Sequence, residues 1–161
     1  DQGTIGGIEL ELRKTLGFIA PAFDKFKIST NLTLITSTMD VIEQSGLEPE
    51  SRPSEGQSPV LANLSLGYLN PDSKWDIQVS YNYTGERLAV VGLNSPDIYE
   101  RGLSTLDAVV SKKLGNVSLK FAANNLLNPN YTTSSEYLGQ EYLTRQYKKG
   151  TSFVLSVAYE L

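Results

Sequence analysis

Between Trp75 and Thr84 the chain alternates without a break: Trp75, Ile77, Val79, Tyr81 and Tyr83 fall on one side of an extended backbone, and Asp76, Gln78, Ser80, Asn82 and Thr84 on the other. Successive side chains of a strand point to opposite faces, so such a stretch divides an apolar from a polar environment, and a helix of 3.6-residue period does not give that order. The sequence ends in the same way, with Phe153, Leu155, Val157, Tyr159 and Leu161 opposed to Ser152, Ser156 and Glu160. Alternation, together with β-branched and aromatic content, marks strands over residues 5–14, 26–36, 60–69, 75–84, 105–114, 117–127 and 151–161.

The length of these stretches narrows the fold further. About ten residues at a rise near 3.3 Å and a tilt near 40° cover roughly 25 Å, the apolar thickness crossed by membrane barrels, whereas strands of soluble proteins run nearer five or six residues. No stretch approaches the roughly 20 apolar residues of a membrane-spanning helix, so contact with a bilayer has to be made by strands. The pattern predicts an all-β chain: an antiparallel, up-and-down transmembrane β-barrel segment of about seven strands, with apolar side chains toward outer-membrane lipid and polar ones toward a lumen.

The connections sort by length. Residues 20–24, 70–74 and 115–116 are short and rich in Pro, Gly, Asn and Asp, as turns require, while residues 37–59, 85–104 and 128–150 are long and polar. Short periplasmic turns and long extracellular loops are the asymmetry of outer-membrane barrels. Phe18, Phe23, Phe26, Tyr68, Trp75 and Tyr159 lie near the short-turn ends, where an interfacial girdle belongs. Both the first and last strands then run toward the periplasm. Seven strands do not close an even-numbered barrel, so further strands are expected upstream, with residues 1–161 as the C-terminal portion of a larger one. Asp1-Gln2-Gly3 carries no signal-peptide features, which agrees with that expectation.

Composition removes most other functions. With a net charge of -4 and no basic stripe, nucleic acid is not an expected partner. The absence of Cys and His removes thiolate catalysis, the usual general base and the commonest zinc ligands, and no carboxylate pair is assigned to a cleft, so no catalytic residue, cofactor or metal site is expected. Asp40, Glu43, Glu48, Glu50 and Glu55 form an acidic run without the spacing of a calcium loop. Gly3, Gly6 and Gly7 precede no helix and form no phosphate cradle. Asn-x-Ser/Thr triplets begin at Asn31, Asn63, Asn82, Asn116 and Asn130; in the first three, Asn and Ser/Thr share a polar strand face, so alternation alone produces the motif.

Glu9, Glu11, Arg13, Lys27, Asp107, Lys113, Lys120 and Glu160 populate the polar faces. They could line a channel, meet an internal plug, or satisfy one another across strands; as a set they imply a hydrated or plug-filled interior, since charges against a dry core cost several kcal/mol each. Among loop residues, Tyr99, Tyr131, Tyr137 and Tyr142 are candidate ligand contacts, because aromatic rings on loops offer contact area at low entropy cost. The same rings would serve equally to pack folded loops.

Gln57-Ser58-Pro59 before the third strand, Tyr81-Asn82-Tyr83-Thr84-Gly85-Glu86-Arg87, Asp97-Ile98-Tyr99-Glu100, Asn124-Asn125-Leu126-Leu127-Asn128, Asn130-Tyr131 and the closing Gly150-Thr151-Ser152-Phe153 strand resemble the barrel of TonB-dependent outer-membrane receptors, most closely those of Bacteroidetes. The resemblance spans almost the whole chain and implies a 22-stranded barrel in the outer membrane of a Gram-negative bacterium, plugged by an amino-terminal domain absent from this sequence. It implies energised import of a scarce nutrient, such as an iron chelate, vitamin or glycan. The implied partners are the upstream strands and plug of the same receptor, TonB through the plug, and a surface lipoprotein over the loops. Members commonly end in Phe, where this chain has Leu161. Two further readings stay open: a small stand-alone barrel that counts residues 136–147 as an eighth strand, and a soluble carbohydrate-binding β-sandwich.

Overall fold

The computed structural model describes residues 3–41, 50–92 and 95–160, and it is built almost wholly from antiparallel strands. In chain order these are β1 (Gly3–Thr15), β2 (Phe26–Val41), β3 (Glu50–Arg52), β4 (Val60–Asn70), β5 (Trp75–Thr84), β6 (Arg87–Val90), β7 (Ile98–Glu100), β8 (Leu103–Leu114), β9 (Val117–Asn124), β10 (Tyr131–Tyr137), β11 (Gln140–Tyr147) and β12 (Ser152–Tyr159). The long strands form one wall in the order β1-β2-β4-β5-β8-β9-β12, with β3 paired to the end of β2. Each predicted wall strand is present, and the clearest alternation, β5, has the boundaries read from its sequence.

Register carries the alternation across the whole wall. From Ile77 on β5, one face continues through Tyr68 and Phe26 in one direction and through Val110, Phe121 and Leu155 in the other. On the opposite face the rows are polar: Glu11, Asn31, Asn63, Asn82 and Thr105 stand abreast, as do Arg13, Ser29, Ser65, Ser80 and Asp107. A one-residue slip anywhere would exchange the faces, so the two surfaces fix the pairing.

The apolar face is uncovered. Among the described residues no second sheet lies over it; Leu10 is 61% exposed and Leu155 71%, and the only apolar side chains classed as buried are Leu88 and Ala123. The accessible surface of 11101 Å² compares with about 8,000 Å² for a compact monomer of this mass. Burial between two sheets, as a sandwich requires, is therefore not the arrangement.

Short connections gather at one end of the wall. Between β1 and β2 the chain makes two 3₁₀ turns, Leu16–Phe18 and Pro21–Phe23, the second begun by a proline at a position that needs no amide donor. Gly115, with φ of 60°, turns β8 into β9. Phe26 joins Phe23 and Tyr68 there at ring separations of 5.9 and 4.9 Å.

β1, β4 and β8 each run one or two residues past the ranges read from sequence, and three further strands differ as well. The second wall strand continues to Val41, where β3 supplies a partner. The strand expected over residues 117–127 stops at Asn124, because Asn125 enters the left-handed region at φ 56°; its amide donates to Asp107 Oδ1 at 2.8 Å and its side-chain amide to Gly150 O at 2.7 Å. The last strand begins at Ser152 and ends at Tyr159, while Leu161 lies outside the described residues, as do Glu43 and Glu48 of the acidic run.

Candidate functional site

At the opposite end the second and third long connections fold into a sheet of their own, ordered β11-β10-β7-β6. Residues 136–147, weighed as an eighth wall strand, instead lie in the β10–β11 hairpin of this sheet. Their polar residues suit an element with water on its exposed side, and Leu138 and Gly139 at φ 53° and 72° make the turn.

The three connections are tied to one another. Arg52 Nη1 donates to Asp97 Oδ1 at 2.8 Å and to Gly92 O at 2.9 Å, joining the first connection to the second. Gly92 is required there, since a Cβ would stand 1.9 Å from Ser95 O. The Gly56 amide donates to Leu88 O at 2.8 Å, and Leu88 is 1% exposed. Between the second and third connections, β7 pairs with β10, the Arg101 amide donates to Thr132 O at 2.9 Å, and the Arg101 guanidinium binds the Glu141 carboxylate. That hydrogen bond, helped by one from Ser134, holds the Glu141 carboxyl below the ordinary glutamate range, and Glu141 raises Arg101 in return.

Two clefts open where this sheet meets the wall. One, of about 260 Å³, lies between Ile35, Ser37 and Pro59 of the first connection and its flanks, and Arg87, Leu88 and Tyr99. The other, of about 370 Å³, has Thr84 and Leu103 at its base and Arg87, Glu100, Arg101, Tyr131, Tyr147 and Lys149 around it. Arg87 spans the two and is held by Glu100 through Nη2 at 2.7 Å and Nε at 3.1 Å. Tyr131 stacks on Tyr147 with centroids 5.2 Å apart and planes at 18°, with Lys149 Nζ 4.1 Å from the Tyr131 centroid and Arg145 4.8 Å from that of Tyr147.

The four tyrosines singled out from sequence are thus not brought together. Tyr99 lines the first cleft and Tyr131 the second. Tyr137 and Tyr142 stand on the exposed hairpin, 56% and 48% accessible, with the Tyr142 hydroxyl donating to Gln140 Oε1 at 3.1 Å. Tyr147, Lys149 and Arg101 were not singled out by sequence; the spacing Arg145-x-Tyr147-x-Lys149 was the available signal. Ring faces, guanidinium groups and an ammonium suit a ligand with both planar or hydroxylated surface and negative charge. Among the described residues no group of three or more acidic side chains could hold a metal ion.

The sequence matches the outer membrane protein beta-barrel family over residues 10–159. The chain belongs to that family. Its apolar face is therefore the lipid face of an outer-membrane barrel wall, its polar rows face the lumen, and its partner along the wall is outer-membrane lipid. No curated protein matches it in sequence. The barrel segment is similar in structure to the ferric citrate transporter FecA in its unliganded form, with a TM-score of 0.71 and 14% identity over 97% of this chain. It spans 24% of the length of that transporter, so the likeness is one of fold between this wall and part of a longer barrel.

Proposed function

We propose that this segment is the C-terminal portion of the barrel of a TonB-dependent receptor, of the Bacteroidetes type, that imports a scarce nutrient across the outer membrane of a Gram-negative bacterium. The observation that carries the reading is the tying together of all three long connections at a single end of the wall, the second and third as one sheet and the first through Arg52 and Gly56, with cation- and aromatic-lined clefts beneath them. A wall that only filled a passive pore has no need of such a plate. The lumen rows of Asn, Ser and paired charges offer hydrogen bonds to a plug domain, and the exposed hairpin with Tyr137, Leu138, Tyr142 and Leu143 offers contact area to a surface lipoprotein. Tyr99 and Tyr131 are the residues assigned to ligand contact.

Support for the longer receptor comes from the seven wall strands, which leave β1 and β12 each with one edge unpaired among the described residues, and from the similarity to a quarter of FecA. The stand-alone barrel loses its eighth strand to the hairpin. The test is genetic: delete the whole gene carrying this segment and compare growth with an iron chelate, cobalamin or an oligosaccharide as the limiting nutrient, with and without functional TonB. A defect on one nutrient, equal to that of the TonB-deficient strain, is expected. Unchanged growth on all of them, or a defect that persists independently of TonB, would overturn the reading.

A further inference from the structure

On the lipid face, near the short-turn end, an apolar groove of about 450 Å³ runs between Trp75, Val110, Leu119, Phe121 and Leu155, with Lys112 at its head. Lys112 stands among apolar neighbours: it is abreast of Trp75 on one side and Leu119 on the other, two residues before the hairpin turn. A lysine on a lipid-facing wall has to reach the headgroup layer, since its charge is costly deeper in the membrane. Its ammonium is turned that way. It lies 4.6 Å from the Trp75 ring centroid and donates to Ser73 O, which engages one of its three N–H donors.

A second cation lies in the adjoining turn. Lys74 precedes Trp75 in the same turn, exposed and with φ of 56°, and has no ion-pair partner among the described residues. The other cations of that turn region are engaged: Lys25 with Asp72 at 3.4 Å, and Lys113, on the lumen face, with Glu160 at 2.6 Å. No carboxylate lines the groove. An ammonium without an ion-pair partner among the described residues at the head of an apolar groove, with a second exposed lysine in the adjoining turn, complements a phosphate with acyl chains attached.

We propose that this is a binding site for an anionic phospholipid of the periplasmic leaflet, with Lys112 and Lys74 on the headgroup and an acyl chain along the Trp75–Leu155 groove. The short-turn end of an outer-membrane barrel is the periplasmic one, which selects the leaflet. Lys14 supplies an internal contrast: it also faces lipid, 5.8 Å from the Phe18 ring centroid, but stands on β1, away from the strands that form the groove, so it serves as an interfacial anchor without selectivity.

The test uses the complete outer-membrane protein, purified in detergent and examined by native mass spectrometry with phosphatidylglycerol and phosphatidylethanolamine in equal amounts. Preferential retention of phosphatidylglycerol is expected. Lys112→Gln should cut that preference about fivefold and Lys112→Gln with Lys74→Gln about 25-fold, as for basic residues at an anionic membrane surface, while Lys14→Gln leaves it unchanged. Lys112→Arg keeps the charge and should keep the preference; it also provides the reading, combined with Lys74→Gln, if Lys112→Gln loses the heat-modifiable folded form. Equal retention of the two lipids by the unaltered protein, or a preference indifferent to both lysines, overturns the proposal.

Discussion

Glu141 and Arg101 show how single side chains set the posture of the outer surface. Their contact joins the second long connection to the third across 40 residues of sequence, and the hydrogen bond from Arg101 lowers the carboxyl's affinity for protons. A carboxyl depressed in the folded state stabilises that state at pH values above its unfolded range, near 4.5, and the contribution disappears as pH falls through the lower folded value. Amide hydrogen exchange in β10 should therefore quicken on acidification into that window, relative to the intrinsic rate. In Glu141→Gln it should be faster at neutral pH and lack that pH step; an identical profile in the two proteins would assign the joining of the connections to the backbone pairs alone. The candidate site was only partly legible in the sequence for the same reason. An aromatic residue in a polar connection is visible by inspection, hence Tyr99 and Tyr131. That Tyr131 stacks on Tyr147 depends on a hairpin whose register shifts between Thr133 and Ser134, and no local pattern reports that shift.

Elements differ in legibility according to where their partners lie. The wall strands could be read because each meets two constant environments along its length, so period two is imposed on every residue from Trp75 to Thr84. β6 and β7, four and three residues long, are too short to display a period; they exist because they pair with each other and find further partners in the other connections, where Leu88 O accepts from the Gly56 amide and β7 pairs with β10. Leu88 is the one large side chain below 2% exposure among the described residues, so it acts as the small core of the outer sheet. Leu88→Ala should destabilise that sheet by about 2–5 kcal/mol, the cost of a truncated buried leucine. The loss should stay local: limited proteolysis would cut sooner near residues 50–60 and 87–100, while the heat-modifiable mobility of the wall is retained. Loss of the folded barrel in this variant would mean that wall and outer sheet are one cooperative unit. On the wall itself, Val79 lies midway along β5 on the lipid face and its neighbour Ser80 on the lumen face. An arginine at Val79 should cost about 2–4 kcal/mol in folding from urea into lipid, whereas Ser80→Arg meets a hydrated row and should cost far less. Equal costs at the two positions would contradict the assignment of faces.

For the molecule as a whole, stability has to come from outside the 161 residues. The seven-stranded wall has two free edges among its described strands, and its accessible surface exceeds that of a compact monomer of equal mass by roughly 3,000 Å². Backbone hydrogen bonds are satisfied between neighbouring wall strands, yet the outer rims of β1 and β12 present unpaired amides and carbonyls beside side chains such as Ile8 and Val157, each 65% exposed. In a membrane barrel, lipid covers the face and neighbouring strands occupy the rims, so neither is a defect there. In water both are templates for association, and the exposed apolar patch is far larger than soluble monomers carry. The isolated segment should therefore fail to give a monodisperse monomer in detergent-free buffer. Size-exclusion chromatography with light scattering should find aggregate, and detergent should disperse it without producing heat-modifiable mobility, because the two rims remain unpaired. On the proposal that this wall is the C-terminal portion of a larger barrel, co-expression with the strands that precede it should restore that mobility in the outer-membrane fraction. A soluble, folded monomer of the segment alone would show that its apolar face can be buried within these residues, and the reading of that face as a wall against lipid would then fail along with the topology built on it.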